Sequence, residues 1–119
     1  MEKRSVFHQF VCYYLIDVQR YQYYLKQMIK SWANSATRRF ADEGKCKFSG
    51  LDEEMAMDVL ASLDAATSLA DLGVLNSVGL HKLTGDRKGQ WAMKVNGPWR
   101  VCFRYADGDA WDVEIVDYH

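Results

Sequence analysis

At 119 residues, 49% of them hydrophobic and 13% aromatic, the chain is one domain's worth with ample material for a core. Its formal net charge of −1 excludes a globally basic nucleic-acid binder, so any basic surface has to be local. Cys12, Cys46 and Cys102 are odd in number and share no metal-ligand spacing, which points to a reduced cytoplasmic protein rather than a disulfide scaffold.

Residues 1–27 differ in composition from the rest, holding five of the seven tyrosines. Phe7, Val11, Tyr14, Val18, Tyr21 and Leu25 follow the 4,3 spacing of a helical seam. We read 1–27 as a helical N-terminal extension and 28–119 as the working domain; a dimerisation or docking helix is the alternative for the extension. The apolar run at 10–16 is short and bulky, lacks a small-residue cleavage site before Asp17, and falls well short of the ~20 residues of a membrane span. Neither a signal peptide nor a membrane association is expected.

The working domain opens with a short strand at 28–32. Asn34 or Ser35 caps a helix that Gly44 stops, and Lys45 and Lys47 extend its basic segment. Asp52, Glu53 and Glu54 open a second helix, where carboxylates complement the dipole. Met55, Val59, Leu60 and Leu63 are its predicted core contacts. Ser68 to Leu72 forms a further capped turn, and a loop at 76–79 leads into the sheet.

From Leu80 onward the pattern has period two. Trp91, Met93 and Val95, then Trp99, Val101, Phe103 and Tyr105, then Trp111, Val113 and Ile115 each share one side of a strand. Three-residue loops at 96–98 and 107–109 align these sets into one apolar face; two-residue loops would set Met93 against Arg100 and Trp111 against Arg104. The other face then carries Lys94, Arg100, Cys102, Arg104, Asp112, Glu114 and Tyr118. Arg104 opposes Asp112 as an ordinary ion pair. Lys94 opposes Arg100, which is unfavourable unless Glu114 or a ligand anion lies between them. The order strand, helix, helix, four antiparallel strands is an α+β layer architecture with helices on one sheet face only.

No phosphate-binding loop, dinucleotide glycine motif, HExxH or CxxC is present, and three histidines are too few and scattered for zinc. No metal and no cofactor is expected. What remains is His81, Lys82, Arg87, Lys88, Lys94, Arg100, Tyr118 and His119, a set suited to cleavage of RNA by its own 2′-hydroxyl. Such cleavage needs a base for the hydroxyl proton, cations for the phosphorane charge and an acid for the departing 5′-oxygen.

The combination LHKLTGDRKGQW, NGPWRVCF, DGDA and terminal DYH resembles the HigB-type toxins of the RelE/ParE superfamily, with the likeness starting near Met28. The resemblance implies a small RelE-like (microbial RNase-like) fold and a ribosome-dependent, metal-independent mRNA endoribonuclease that acts in the A site. It also implies neutralisation by a HigA-type helix-turn-helix antitoxin, through which alone the toxin reaches operator DNA. Carried over on motif matches, Arg100 stabilises phosphate charge, Tyr118 or His119 carries the proton, His81 positions or exchanges protons, and Asp117 orients its neighbours. Lys82, Arg87, Lys88 and Lys94 are the accompanying RNA contacts. Sheet alternation leaves His81 and His119 nominally on the apolar side. Many relatives carry lysine where this chain has Thr84, so weakened cleavage is expected. A ParE-like gyrase-binding toxin and a catalytically silent antitoxin-binding module are the rival readings.

Overall fold

The computed structural model describes residues 27–74 and 79–117. The expected helix in the N-terminal extension, most of the 76–79 loop, and the catalytic candidates Tyr118 and His119 lie outside the described residues.

Among the described residues, three α-helices precede a four-stranded antiparallel meander. Helix α1 spans Ser35–Glu43, α2 Glu53–Ala65 and the short α3 Leu69–Gly73; β1 is His81–Lys82, β2 Gln90–Lys94, β3 Trp99–Ala106 and β4 Asp109–Asp117, ordered β1-β2-β3-β4. The N-terminal ends of α1 and α2 are capped as expected. Asn34 Oδ1 accepts the Thr37 N–H (2.8 Å), Gly44 closes α1 in the left-handed region, and Asp52 accepts the Met55 N–H (3.0 Å) at the start of α2. Ser68 makes no side-chain cap on α3; the Thr67 hydroxyl and N–H donate to Asp71 instead, holding its carboxyl below the ordinary value.

Helices α1 and α2 cover one sheet face. Phe40, Ala56, Leu60 and Leu63 pack with Met93, Val101, Phe103, Val113 and Ile115 in a single buried cluster. Burying a side chain such as Phe103 contributes about 1.5–3 kcal/mol. The Ile115 N–H donates to buried Thr37 Oγ1 (3.1 Å), tying α1 to β4. Met55, an expected core contact, is 43% exposed, because α2 turns Ala56 and Met57 inward in its place.

The expected strand at 28–32 is a pair of isolated parallel bridges, Ile29 to Ala110 and Trp32 to Val113. The Lys30 N–H donates to the Ala110 carbonyl (2.8 Å), and the Val113 N–H to that of Ser31 (3.0 Å). A bulge in β4 separates the bridges. Buried Asp64, at the end of α2, accepts the Ile29 N–H on its carboxylate (2.9 Å) and the Met28 N–H on its carbonyl (3.0 Å).

Register follows expectation at the first hairpin and departs from it at the second. The 96–98 loop sets Trp91 against Phe103, Met93 against Val101, and Lys94 against Arg100. The second loop has only two residues, Asp107 and Gly108, both at positive φ (53° and 80°), the conformation of a type I′ turn. Tyr105 therefore faces Ala110, and Arg104 faces Trp111 rather than Asp112. Asp112, at φ 54°, is the extra residue that restores the expected pairing of Cys102 with Glu114 and Val101 with Ile115. Trp111 leaves the apolar face and is 37% exposed, its Nε1 donating to the Ala106 carbonyl (3.2 Å).

Candidate active site

The sheet face away from the helices carries a small apolar patch of Leu83, Ala92 and Cys102 with Val116 at its side, and polar groups surround it. Cross-strand pairing orders them in rows. One row reads His81, Ala92, Cys102, Glu114; the next contains Lys94, Arg100 and Val116.

His81 is thus on the same face as Arg100, not on the apolar side. Six residues, 84–89, separate the Leu83 N–H from the Gln90 carbonyl it donates to, and this loop sets the parity. It contains the 3-10 turn Gly85–Arg87 and positive φ at Gly85 and Gly89, so strand alternation cannot be carried through it. The His81 ring is exposed, with Nδ1 3.1 Å from the Gly79 carbonyl. Two strands and one row of sheet geometry put its Cα about 12 Å from that of Arg100, within bridging reach of two side chains and a phosphate.

Arg100 lies half-buried along the β2–β3 loop. Its Nη1 donates to the carbonyls of Gly97 (2.7 Å) and Trp99 (2.9 Å), leaving Nε and Nη2 without a partner among the described residues. Lys94 directly opposes it, exposed and with no ion pair among the described residues. Glu114, the carboxylate one row away, does not serve them. It accepts from Arg87 Nη1 (3.2 Å), which also donates to Gln90 Oε1 (3.0 Å), and from Asn34 Nδ2 (3.5 Å).

Of the remaining candidates, Lys88 is exposed at the end of the 3-10 turn. Arg87 clamps that turn to the sheet. Lys82 lies on the helix-bearing side, its Nζ 5.8 Å from the centre of the Trp91 ring, because its neighbour His81 takes the open face. Asp117 pairs with Trp99 on that same helix-bearing side and is exposed. Arg104 pairs with Asp112 at 3.7 Å, as expected, although the two are no longer directly opposed.

Cys102 sits at the centre of the face, fully buried. Burial pushes its thiol up to about 11; the Arg87 guanidinium pulls the other way, Glu114 adds to the rise, and Arg100 pulls down. It is a packing residue, not a nucleophile. Sequence reasoning missed Asn96, whose side chain ties the β2–β3 loop to the start of α2; as half of an Asn-Gly pair it reads only as a turn residue.

The open face therefore holds opposed cations with a histidine nearby, backed by a rigid sheet. A family model described as the RelE-like toxin of the type II toxin-antitoxin system HigB matches residues 30–119. The chain belongs to the HigB-like toxin family. A relative of this HigB-like protein, Endoribonuclease HigB of Proteus vulgaris, is 34% identical over 95 residues, which are 77% of this chain and 100% of the relative. The likeness drawn from the LHKL, NGPWR and DYH segments is borne out, as is the α+β fold. A HigB-like toxin of a type II system has an antitoxin for a partner. No helix among the described residues is long and apolar enough to cross a membrane.

Proposed function

We propose that this HigB-like toxin is an endoribonuclease that inhibits translation by cutting mRNA in the ribosomal A site. The observation that carries the reading is the direct opposition of Lys94 and Arg100 on the open face, with no carboxylate in ion-pair range among the described residues and with His81 on the same side. Two cations held together on one rigid face, with donors left over, suit a ligand that brings its own negative charge. The Proteus vulgaris relative is named an endoribonuclease, which supports this chemistry.

In the proposed reaction the 2′-hydroxyl loses its proton and its oxygen bonds to phosphorus. Arg100, with Lys94, stabilises the phosphorane charge. The P–O5′ bond then breaks, and the 5′-oxygen takes up a proton, leaving a 2′,3′-cyclic phosphate and a 5′-hydroxyl. Tyr118 or His119 carries the proton, His81 positions or exchanges protons, and Asp117 orients the last two residues. Val116, the ladder partner of Arg100, lies two positions before Tyr118 in the sequence. A HigA-type helix-turn-helix antitoxin is the proposed partner, and operator DNA is reached only through it. The proposed setting is the cytoplasm.

Induction in cells followed by primer extension on several mRNAs tests the reading. Cuts within translated codons are expected, abolished by Arg100→Ala and by removal of Tyr118 and His119. Growth arrest with intact mRNA and blocked DNA supercoiling would replace the nuclease with a ParE-like gyrase poison. Thr84 is exposed at the start of the 3-10 turn, and Thr84→Lys is expected to speed cleavage; a rate equal to the parent's would show that the missing lysine is immaterial.

A further inference from the structure

A continuous run of hydrogen bonds links the start of α2 to Arg100. The Asp52 N–H donates to Asn96 Oδ1 (2.8 Å), and Asn96 Nδ2 donates to the Gly50 carbonyl (3.0 Å). One short side chain thus uses both of its functional atoms on a segment 44 and 46 residues earlier in the sequence. An asparagine serving only a turn would bond its own backbone nearby. The 50–52 segment is itself fixed: Asp52 caps α2, and Gly50 takes φ +83° with Trp99 Nε1 3.8 Å from where a Cβ would stand. The main chain of Asn96 accepts the Trp99 N–H (2.8 Å), closing the loop. On the other side of that loop, the carbonyls of Gly97 and Trp99 receive Arg100 Nη1 at 2.7 and 2.9 Å.

We propose that Asn96 is a positioning residue for Arg100. By anchoring the 96–98 loop to the N-terminus of α2, it fixes the two carbonyls that select one rotamer of the guanidinium. A long cationic side chain otherwise has many rotamers to lose, and a fixed one meets the phosphorane without that loss at the moment of reaction. Nη1 is spent on the loop; Nε and Nη2 have no partner among the described residues. The inference rests on the reading of Arg100 as the charge-stabilising group, and its test separates the two.

The first measurement needs no activity. In the full chain with 15N-labelled arginine, Arg100, assigned by its loss in Arg100→Lys, is expected to show separate Nη signals from hindered rotation. In Asn96→Ala these merge while the amide spectrum stays native. The second is single-turnover cleavage of mRNA on programmed ribosomes. Asn96→Ala is expected to lower the limiting rate about 10- to 100-fold at unchanged half-saturation. In an Arg100→Ala background the same substitution should change nothing further, because the two act as one unit. Unchanged arginine signals in Asn96→Ala overturn the proposal. So does a weaker half-saturation at constant rate, the mark of a direct RNA contact, and so does a loss that adds to that of Arg100→Ala. Cleavage by Arg100→Ala at the parent's rate overturns the role of Arg100 instead, while the spectrum still reports whether Asn96 holds it. If Asn96→Ala does not fold, Asn96→Asp, which keeps the acceptor for the Asp52 N–H, is read on both measurements, with a smaller change in the same direction expected and no change overturning the proposal.

Discussion

Cys102 and Arg87 show how the open face is stabilised one side chain at a time. Burial raises the Cys102 thiol from an ordinary 9.0 to about 11, so the fold binds the thiol proton more tightly than the unfolded chain does. The stability this contributes is complete below pH 9 and is lost as pH rises from 9 to 11. Urea midpoints across that range should therefore fall less steeply in Cys102→Ala than in the parent. Arg87 donates to both Glu114 and Gln90, with Glu114 only a quarter exposed. Arg87→Met leaves that carboxylate without its cation and should cost about 1–2 kcal/mol, read as a lower urea midpoint at pH 7. Arg87 is visible in the sequence as a basic residue of the GDR segment. That its charge is already used inside the protein is not, since Glu114 lies 27 positions away.

At the level of elements, β4 depends on a single bulge. Asp112 occupies the left-handed region at φ 54°, and its N–H donates to Ser31 Oγ (2.8 Å). Asp112→Asn should be tolerated, since asparagine adopts this conformation readily, whereas Asp112→Val should cost about 1–2 kcal/mol in urea unfolding. The first hairpin was legible in the sequence because alternation and the three-residue loop agree on one register from Trp91 to Phe103. The second was only partly so. An Asp-Gly pair specifies a two-residue turn, alternation further along the strand demands an odd shift, and the bulge reconciles them at a position that neither signal names. The placement of His81 was hidden for a related reason, because the glycine-bearing loop at 84–89 resets which side of the strand each residue takes.

For the molecule as a whole, helix caps, the α+β layering and the sharing of one face by Lys94 and Arg100 followed from residue types and spacing. The parallel attachment of 28–33 to β4 did not, since pairing between distant segments leaves no local periodicity. Among the described residues the buried cluster begins at Met28, and the family match begins at residue 30. A variant beginning at Met28 is therefore expected to fold with an unchanged urea midpoint and to retain cleavage. A molten amide spectrum for that variant would show that residues 1–27 belong to the domain.

The attachment of 28–33 to β4 also bears on how the domain folds. The domain's first segment finds its place only against its last strand, and Ala110 and Val113 must be available before Lys30 and Ser31 can engage. Contacts so remote in sequence require a long loop to close first, which slows folding. Truncation within β4 would therefore also release 28–33, although the two lie at opposite ends of the described domain.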